Sequence, residues 1–257
     1  MSKRMSKRHE LGNKIRQKLE KGDVSIGTWQ QISHPSISEI LGQADYEWVV
    51  VDLEHGSISM DRLPDLFRAI ELGGTLPLAR IAESKAKDCK QALDAGAGGI
   101  IAPMIISAEQ LETVRNSCCW PPAGNRGVGY SRANLFGKHF EKYKEEAQTP
   151  LFVAQIEHIN AVENMEKILK VDGLDAVIIG PYDLSASMGL TAEIKHNEFT
   201  AVMDYILKCC KQFNVPCGDH VVELNPKLLQ KRIDQGYKFI AYGTDGVFLN
   251  HSSRFPL

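Results

Sequence analysis

Long apolar runs are missing from this chain. No stretch approaches the ~18 consecutive apolar residues that a membrane span needs, so a membrane-embedded role is not expected. A surplus of one charge is missing too: 30 Lys and Arg face 32 Asp and Glu, a net −2 over 257 residues. Such a balance gives no global attraction to nucleic acid or to an anionic membrane. The six cysteines (Cys89, Cys118, Cys119, Cys209, Cys210, Cys217) contain no CxxC pair. Two adjacent pairs and two singles form no disulfide framework or zinc spacing, so reduced thiols and a cytoplasmic location are expected. No Pro-, Gly- or Ser-rich linker divides the chain, and residues 1–257 are expected to form one domain.

Local cationic charge is highest in MSKRMSKRHE, with Lys3, Arg4, Lys7 and Arg8. That segment lacks the apolar core of a signal peptide. Residues 1–10 are expected to be a frayed tail. Beyond it, Leu11, Ile15 and Leu19 lie four apart and predict one short helix closed by Gly22.

What the chain does have is alternation. Strand-like runs are SIGTWQQI (25–32), WVVVDLE (48–54), LPLARIA (76–82), GIIAPMI (99–105), LFVAQIE (151–157), AVIIGPYD (176–183), PCGDHVV (216–222) and KFIAYG (238–243). Helical patterns separate them at 36–44, 59–72, 84–95, 107–118, 159–170, 198–213 and 225–235. Alternating βα units build a parallel sheet, and eight such strands close a barrel of about 250 residues. The expected fold class is therefore α/β, a (β/α)8 TIM barrel with a short N-terminal helix. Two irregularities stand out. Residues 119–150 form a long connection, which in compact domains is usually functional. After strand eight only GVFLNHSSRFPL remains, too short for a full closing helix.

Polar groups fall at the strand C-terminal ends, the active face of such barrels. Strand two ends in Asp52, Glu54 and His55; strand three carries Arg80. Strand five carries Gln155 and Glu157, which share a face by period two. Strand six ends in Gly180-Pro181-Tyr182-Asp183, and strand seven carries Asp219 and His220. Adjacent parallel strands lie about 4.8 Å apart, so Glu157 and Asp183 can share one hard divalent cation. Either acid could instead cap a loop or the next helix. His55 could be a base or a hydrogen-bonded structural histidine. Arg80 in an apolar strand demands an anionic partner, which Asp52 could be. Asp94 ends a helix and points to the other end of the barrel.

VDLEHG (51–56), PLAR (77–80), LDAGAGGIIAPMI (93–105), PPAGNRGVG (121–129), QIE (155–157) and GPYDLSASMG (180–189) resemble, in order, the HpcH/HpaI aldolase family. Its namesake is 2,4-dihydroxyhept-2-ene-1,7-dioate aldolase, and macrophomate synthase is a relative. The resemblance implies a class II pyruvate aldolase, cleaving a 4-hydroxy-2-oxo acid to pyruvate and an aldehyde. It implies metal ligation by Glu157 and Asp183, with Mg²⁺, Mn²⁺ or Co²⁺ as the cofactor. It assigns His55 as the catalytic histidine and Asp94 as its partner across a subunit contact. Arg80 would face the enolate and Gln155 the donor. The backbone of Gly180 to Asp183 would hold the pyruvate carboxylate, with Tyr182 bulkier than usual there. A homo-oligomer is implied, although the short C-terminal end departs from the helix that builds the usual hexamer.

The chemistry suits these residue types. An enolate needs stabilisation where its charge develops, and an arginine cannot lose its charge at working pH. A histidine can move the aldol hydroxyl proton. A Schiff-base mechanism would need a placed lysine, and no lysine lies inside strands two to seven. The same enolate also arises from oxaloacetate, so a decarboxylase or a synthase is an alternative. A non-catalytic oxo-acid-binding barrel is a more distant one. The aldehyde is expected near the 119–150 loop, near Gln31, Ser33 and His34, and near His220; Asp52 is expected to contact substrate. Arg126 and Arg132 could hold an anionic group on it.

Overall fold

The computed structural model describes residues 6–254. Eight parallel strands close in sequence order into a barrel: β1 (Ser25–Gln30), β2 (Trp48–Asp52), β3 (Leu76–Arg80), β4 (Gly99–Ala102), β5 (Leu151–Ile156), β6 (Ala176–Ile179), β7 (Cys217–Val221) and β8 (Phe239–Thr244). The helices in chain order are α1 (Lys7–Glu20), α2 (Pro35–Gly42), α3 (Leu63–Leu72), α4 (Ala86–Ala95), α5 (Ala108–Cys118) and α6 (Phe140–Glu146). They continue as α7 (Ile159–Glu163), α8 (Met165–Ile168), α9 (Pro181–Ser187), α10 (Asn197–Phe213), α11 (Pro226–Gln235) and α12 (Asp245–Ser252). The expected barrel is the one observed.

Both faces of each strand are buried, which is why the strands read as continuous apolar runs. Side chains of one parity point outward. Val49, Val51, Ile100, Phe152, Val177 and Ile240 pack there under the helices. Those of the other parity fill the barrel: Trp48, Val50, Leu76, Leu78, Ile101, Leu151, Val153, Ile178 and Phe239. Trp48 and Phe239 stack at 4.2 Å between centroids. Ile15 and Leu19 of α1 belong to this inner cluster and are buried. The amphipathic helix at the start of the chain is therefore the floor of the barrel.

The expectation of a frayed tail over residues 1–10 is corrected in its second half; residues 1–5 lie outside the described residues. Ser6 caps α1 by accepting from the His9 N–H. Arg8 is committed to the fold. Its guanidinium donates to Glu146 at 2.7 Å, Glu71 at 3.0 Å and the Ala133 carbonyl at 2.6 Å. One cation of a run that looked solvated is thus spent on Glu146 and Glu71, and this fastens α1 beneath the strands.

The expectation that the aldehyde lies near residues 119–150 is also corrected. The segment follows α5, so it lies at the N-terminal end of the barrel, opposite the face where sites form. It is no loose loop either: it contains α6 and a small core of Trp120, Ala133, Tyr143 and Ala147. Arg126 is buried, bonded to Asp94 at 3.1 Å and to the Tyr143 hydroxyl at 3.0 Å. Arg132 donates to the Ala95 carbonyl at 2.9 Å and pairs with Glu71. Neither arginine is available to an aldehyde bound at the opposite mouth of its own barrel.

Candidate active site at the barrel mouth

The inner rows change character as they rise. Two layers are apolar, but the upper positions of the same parity are Trp29, Asp52, Arg80, Gln155 and His220. Period-two alternation carries these polar side chains inward at the C-terminal ends, where the βα turns begin.

Arg80 is the centre of the arrangement. Its Nε donates to Asp52 Oδ1 at 2.9 Å and its Nη2 to Asp52 Oδ2 at 2.5 Å, a two-point contact. Its Nη1 lies 3.0 Å from Glu54 Oε2. Its guanidinium also sits 5.2 Å from the Trp29 ring centroid. Burial works against charge on both members of the Arg80–Asp52 pair. The hydrogen bonds and attraction between them win, so the Asp52 carboxyl is lowered and the Arg80 guanidinium raised from their usual ranges.

Asp52 was expected to touch substrate, and the structure corrects this. It is fully buried, and its oxygens also accept from the Glu54 and His55 N–H groups at 3.1 and 3.3 Å and from Gln31 Nε2 at 2.9 Å. It therefore holds Arg80 and shapes the turn that presents His55. Glu54 takes the place at the surface of the site. Burial pushes its carboxyl up to about 7, against the pull of Arg80 and helped by the charge of Glu157. Sequence reading placed Glu54 at the strand end but gave it no role; its spacing of two from Asp52 was the available signal.

Glu157 is buried, and one oxygen accepts from the Met104 N–H at 2.6 Å while the other accepts from the Gln155 amide. Burial raises its pKa, those two donors oppose the shift, and the charge of Asp183 adds to it. Asp183 lies in the first turn of α9 and is half exposed. His55 Nε2 is 3.8 Å from Asp183 Oδ2, so the histidine and the second acid face one another across the mouth. Gly180, the N-cap of α9, passes so close that a Cβ there would stand 2.6 Å from Glu157 Oε2. The Tyr182 side chain is exposed, and the first-turn amides of α9 precede the first helical bond, from Leu184 N–H to the Gly180 carbonyl.

The donor set fits a hard divalent cation. Two carboxylates repel each other, both keep lone pairs, and every offered atom is oxygen. Among the described residues no group of three or more His, Cys, Asp or Glu side chains is set to hold a metal. Water or substrate would thus complete the shell. Gly180→Ala is expected to displace Glu157 and weaken Mn²⁺ binding at least tenfold, with an overpacking cost of ~1–3 kcal/mol. Calorimetric titration with Mn²⁺ reads this directly, and an unchanged affinity would separate Gly180 from the acid pair.

Other expected residues fall elsewhere. Asp94, at the end of α4, lies at the N-terminal end of the barrel with Arg126, and one chain does not bring it to His55. Asp219 has the outward parity and pairs with Arg232 of α11 at 2.7 Å. His34 caps α2 by accepting from the Ser36 N–H at 3.2 Å.

The family model described as HpcH/HpaI aldolase/citrate lyase matches residues 25–252. The chain belongs to this family. It is 32% identical to a hydroxypyruvate/pyruvate aldolase of Roseobacter denitrificans, over 94% of each chain. It is 34% identical to a 4-hydroxy-2-oxovalerate aldolase of Novosphingobium aromaticivorans, over 91% of this chain and 88% of that one. A solved structure of an HpcH/HpaI aldolase/citrate lyase family protein from Burkholderia cenocepacia J2315 superposes with a TM-score of 0.89 at 27% identity. It covers 94% of this chain and 96% of that chain. This HpcH/HpaI family chain is accordingly an aldolase, a carbon–carbon lyase, and the barrel mouth is where its polar residues converge.

Proposed function

We propose that this family member is a class II pyruvate aldolase that cleaves a 4-hydroxy-2-oxo acid to pyruvate and an aldehyde. What supports this reading is the gathering at one mouth of two acids, Glu157 and Asp183, whose charges act on one another, with an arginine held by Asp52 and Glu54 and a histidine 3.8 Å from Asp183. Glu157 and Asp183 would hold a divalent cation, which would supply Lewis-acid stabilisation to the developing enolate. Arg80, fixed by Asp52 and Glu54, places permanent positive charge where the enolate forms. The open first-turn amides of α9, at Tyr182 and Asp183, suit the pyruvate carboxylate, and the Gln155 amide the donor beside it. His55, half exposed beside Asp183, takes the proton of the C4 hydroxyl as the bond breaks. An oxaloacetate decarboxylation by the same residues shares every step except that last one.

Asp94 can serve His55 only from a second copy, because the two lie at opposite ends of one barrel. A homo-oligomer is part of the proposal, and sedimentation of a strict monomer with full activity would remove Asp94 from it. The deciding experiment is pyruvate release from a panel of 4-hydroxy-2-oxo acids with Mn²⁺, Mg²⁺ and Co²⁺. Activity is expected with at least one of these and none after chelation. A borohydride-trapped pyruvate adduct would instead mean a lysine mechanism.

Arg80→Lys is expected to cost ~10-fold or more in turnover, since a lysine cannot make the two-point contact with Asp52 and still reach Glu54. A lysine variant with near wild-type turnover would show that guanidinium geometry is irrelevant to the step.

A further inference from the structure

His220 stands in the upper inner row of the barrel, and none of the chemistry above uses it. Gly218 and His220 share the inward parity of β7, whereas Cys217 and Val221 pack outward. The imidazole stacks on Trp29 with centroids 4.8 Å apart and an interplanar angle of 28°. Trp29 in turn carries the Arg80 guanidinium at 5.2 Å. The histidine is thus connected to the arginine of the active site through one indole.

Its tautomer is set by the backbone. His220 Nε2 lies 3.1 Å from the Gly243 carbonyl oxygen. A carbonyl only accepts, so Nε2 must carry the proton. That carbonyl is aimed by a local irregularity. The β1–β8 register shifts between Gly27 and Trp29, where two steps on β1 face three on β8. Gly243 sits in this bulge with φ +67°, a conformation that favours glycine. With the proton on Nε2, Nδ1 is a bare acceptor. It has no partner among the described residues and is not sealed from solvent. Burial also keeps the ring neutral, lowering its pKa to about 4.

A half-buried acceptor, held by a stack on one face and a backbone bond at one nitrogen, is built to receive a donor from the mouth. Carboxylates and keto oxygens offer none. A hydroxyl does.

We propose that His220 Nδ1 accepts a hydrogen bond from a hydroxyl of the acceptor aldehyde, so that the site selects hydroxylated aldehydes over their deoxy counterparts. This rests on the aldolase reading and names the chemical class of its second substrate. The residue determines specificity and takes no part in making the enolate.

The test is aldol addition of pyruvate to glyceraldehyde and to propanal, which share a carbon skeleton and differ in hydroxyls. His220→Phe keeps a ring against Trp29 but removes the acceptor. The ratio of kcat/KM for glyceraldehyde over propanal is expected to fall about tenfold in the variant, as for one lost hydrogen bond. An equal loss with both aldehydes, or no change in the ratio, overturns the proposal. A second arm uses the wild-type protein and needs no turnover. In ¹⁵N spectra His220 Nδ1 is expected to be unprotonated at neutral pH and to shift with glyceraldehyde but not with propanal. A protonated Nδ1, or equal responses, also overturns it. Metal-dependent exchange of the pyruvate methyl protons in the wild-type protein judges the aldolase reading separately. Exchange with no discrimination at His220 condemns only this inference; no exchange condemns the aldolase reading, and the spectra still judge the acceptor.

Discussion

Glutamine in place of Glu157 is expected to reduce metal-dependent pyruvate release by at least ~10³-fold, the effect of losing a Lewis acid that contributes several kcal/mol. The substitution is nearly isosteric. A glutamine carbonyl can still accept from the Met104 N–H, now bonded at 2.6 Å. Melting temperature should therefore change little while Mn²⁺ affinity collapses. Burial is the largest penalty on the Glu157 charge and outweighs the help from Met104, Gln155 and Arg80, so neutralising it should not destabilise the fold. Asp183→Asn should behave alike in activity. The measurement is paired: calorimetric Mn²⁺ titration and a coupled pyruvate assay. Wild-type protein that keeps its rate after exhaustive chelation would defeat the metal assignment outright.

His55→Ala separates bond cleavage from enolate formation. Its imidazole stands 3.8 Å from Asp183 and half in solvent, without the buried contacts that fix Arg80. A general base of this kind typically contributes ~10²–10⁴-fold. Retro-aldol cleavage requires removal of a hydroxyl proton and should fall by that factor. Decarboxylation of oxaloacetate has no such proton and should retain most of its rate. Equal losses in both reactions would make His55 a structural or shared group.

The barrel was legible in the chain because each strand announces itself twice, by its apolar run and by the helix pattern that follows. Glu157 and Arg80 stood out for a related reason: a charged group at the end of a buried strand is costly unless it is paired. Asp183 and His55, both half exposed, stood out only by their place in the turns that follow β6 and β2. Asp52 was legible in part. A buried arginine calls for an anion, and Asp52 is the partner of Arg80 that this reading offered; its further bonds to Gln31 and two backbone amides had no sequence signal. The 119–150 segment misled because length suggests function, but which end of a barrel a connection occupies depends on whether it follows a helix or a strand. The start of the chain misled because charge resembles solvent exposure; the partners of Arg8, Glu71 and Glu146, lie over sixty and over a hundred residues away in sequence. Long-range ion pairing of that kind leaves no periodic trace. His220 was visible as a residue, but its tautomer depends on a bulge in the neighbouring strand.

The helix that seats Ile15 and Leu19 under the inner strands completes a bore already filled by apolar side chains. A barrel packed in this way is a solid plug rather than a channel. A ligand held among Arg80, Glu157 and His220 would therefore arrive and depart on the side of the βα turns, and two substrates bound there would share one entrance.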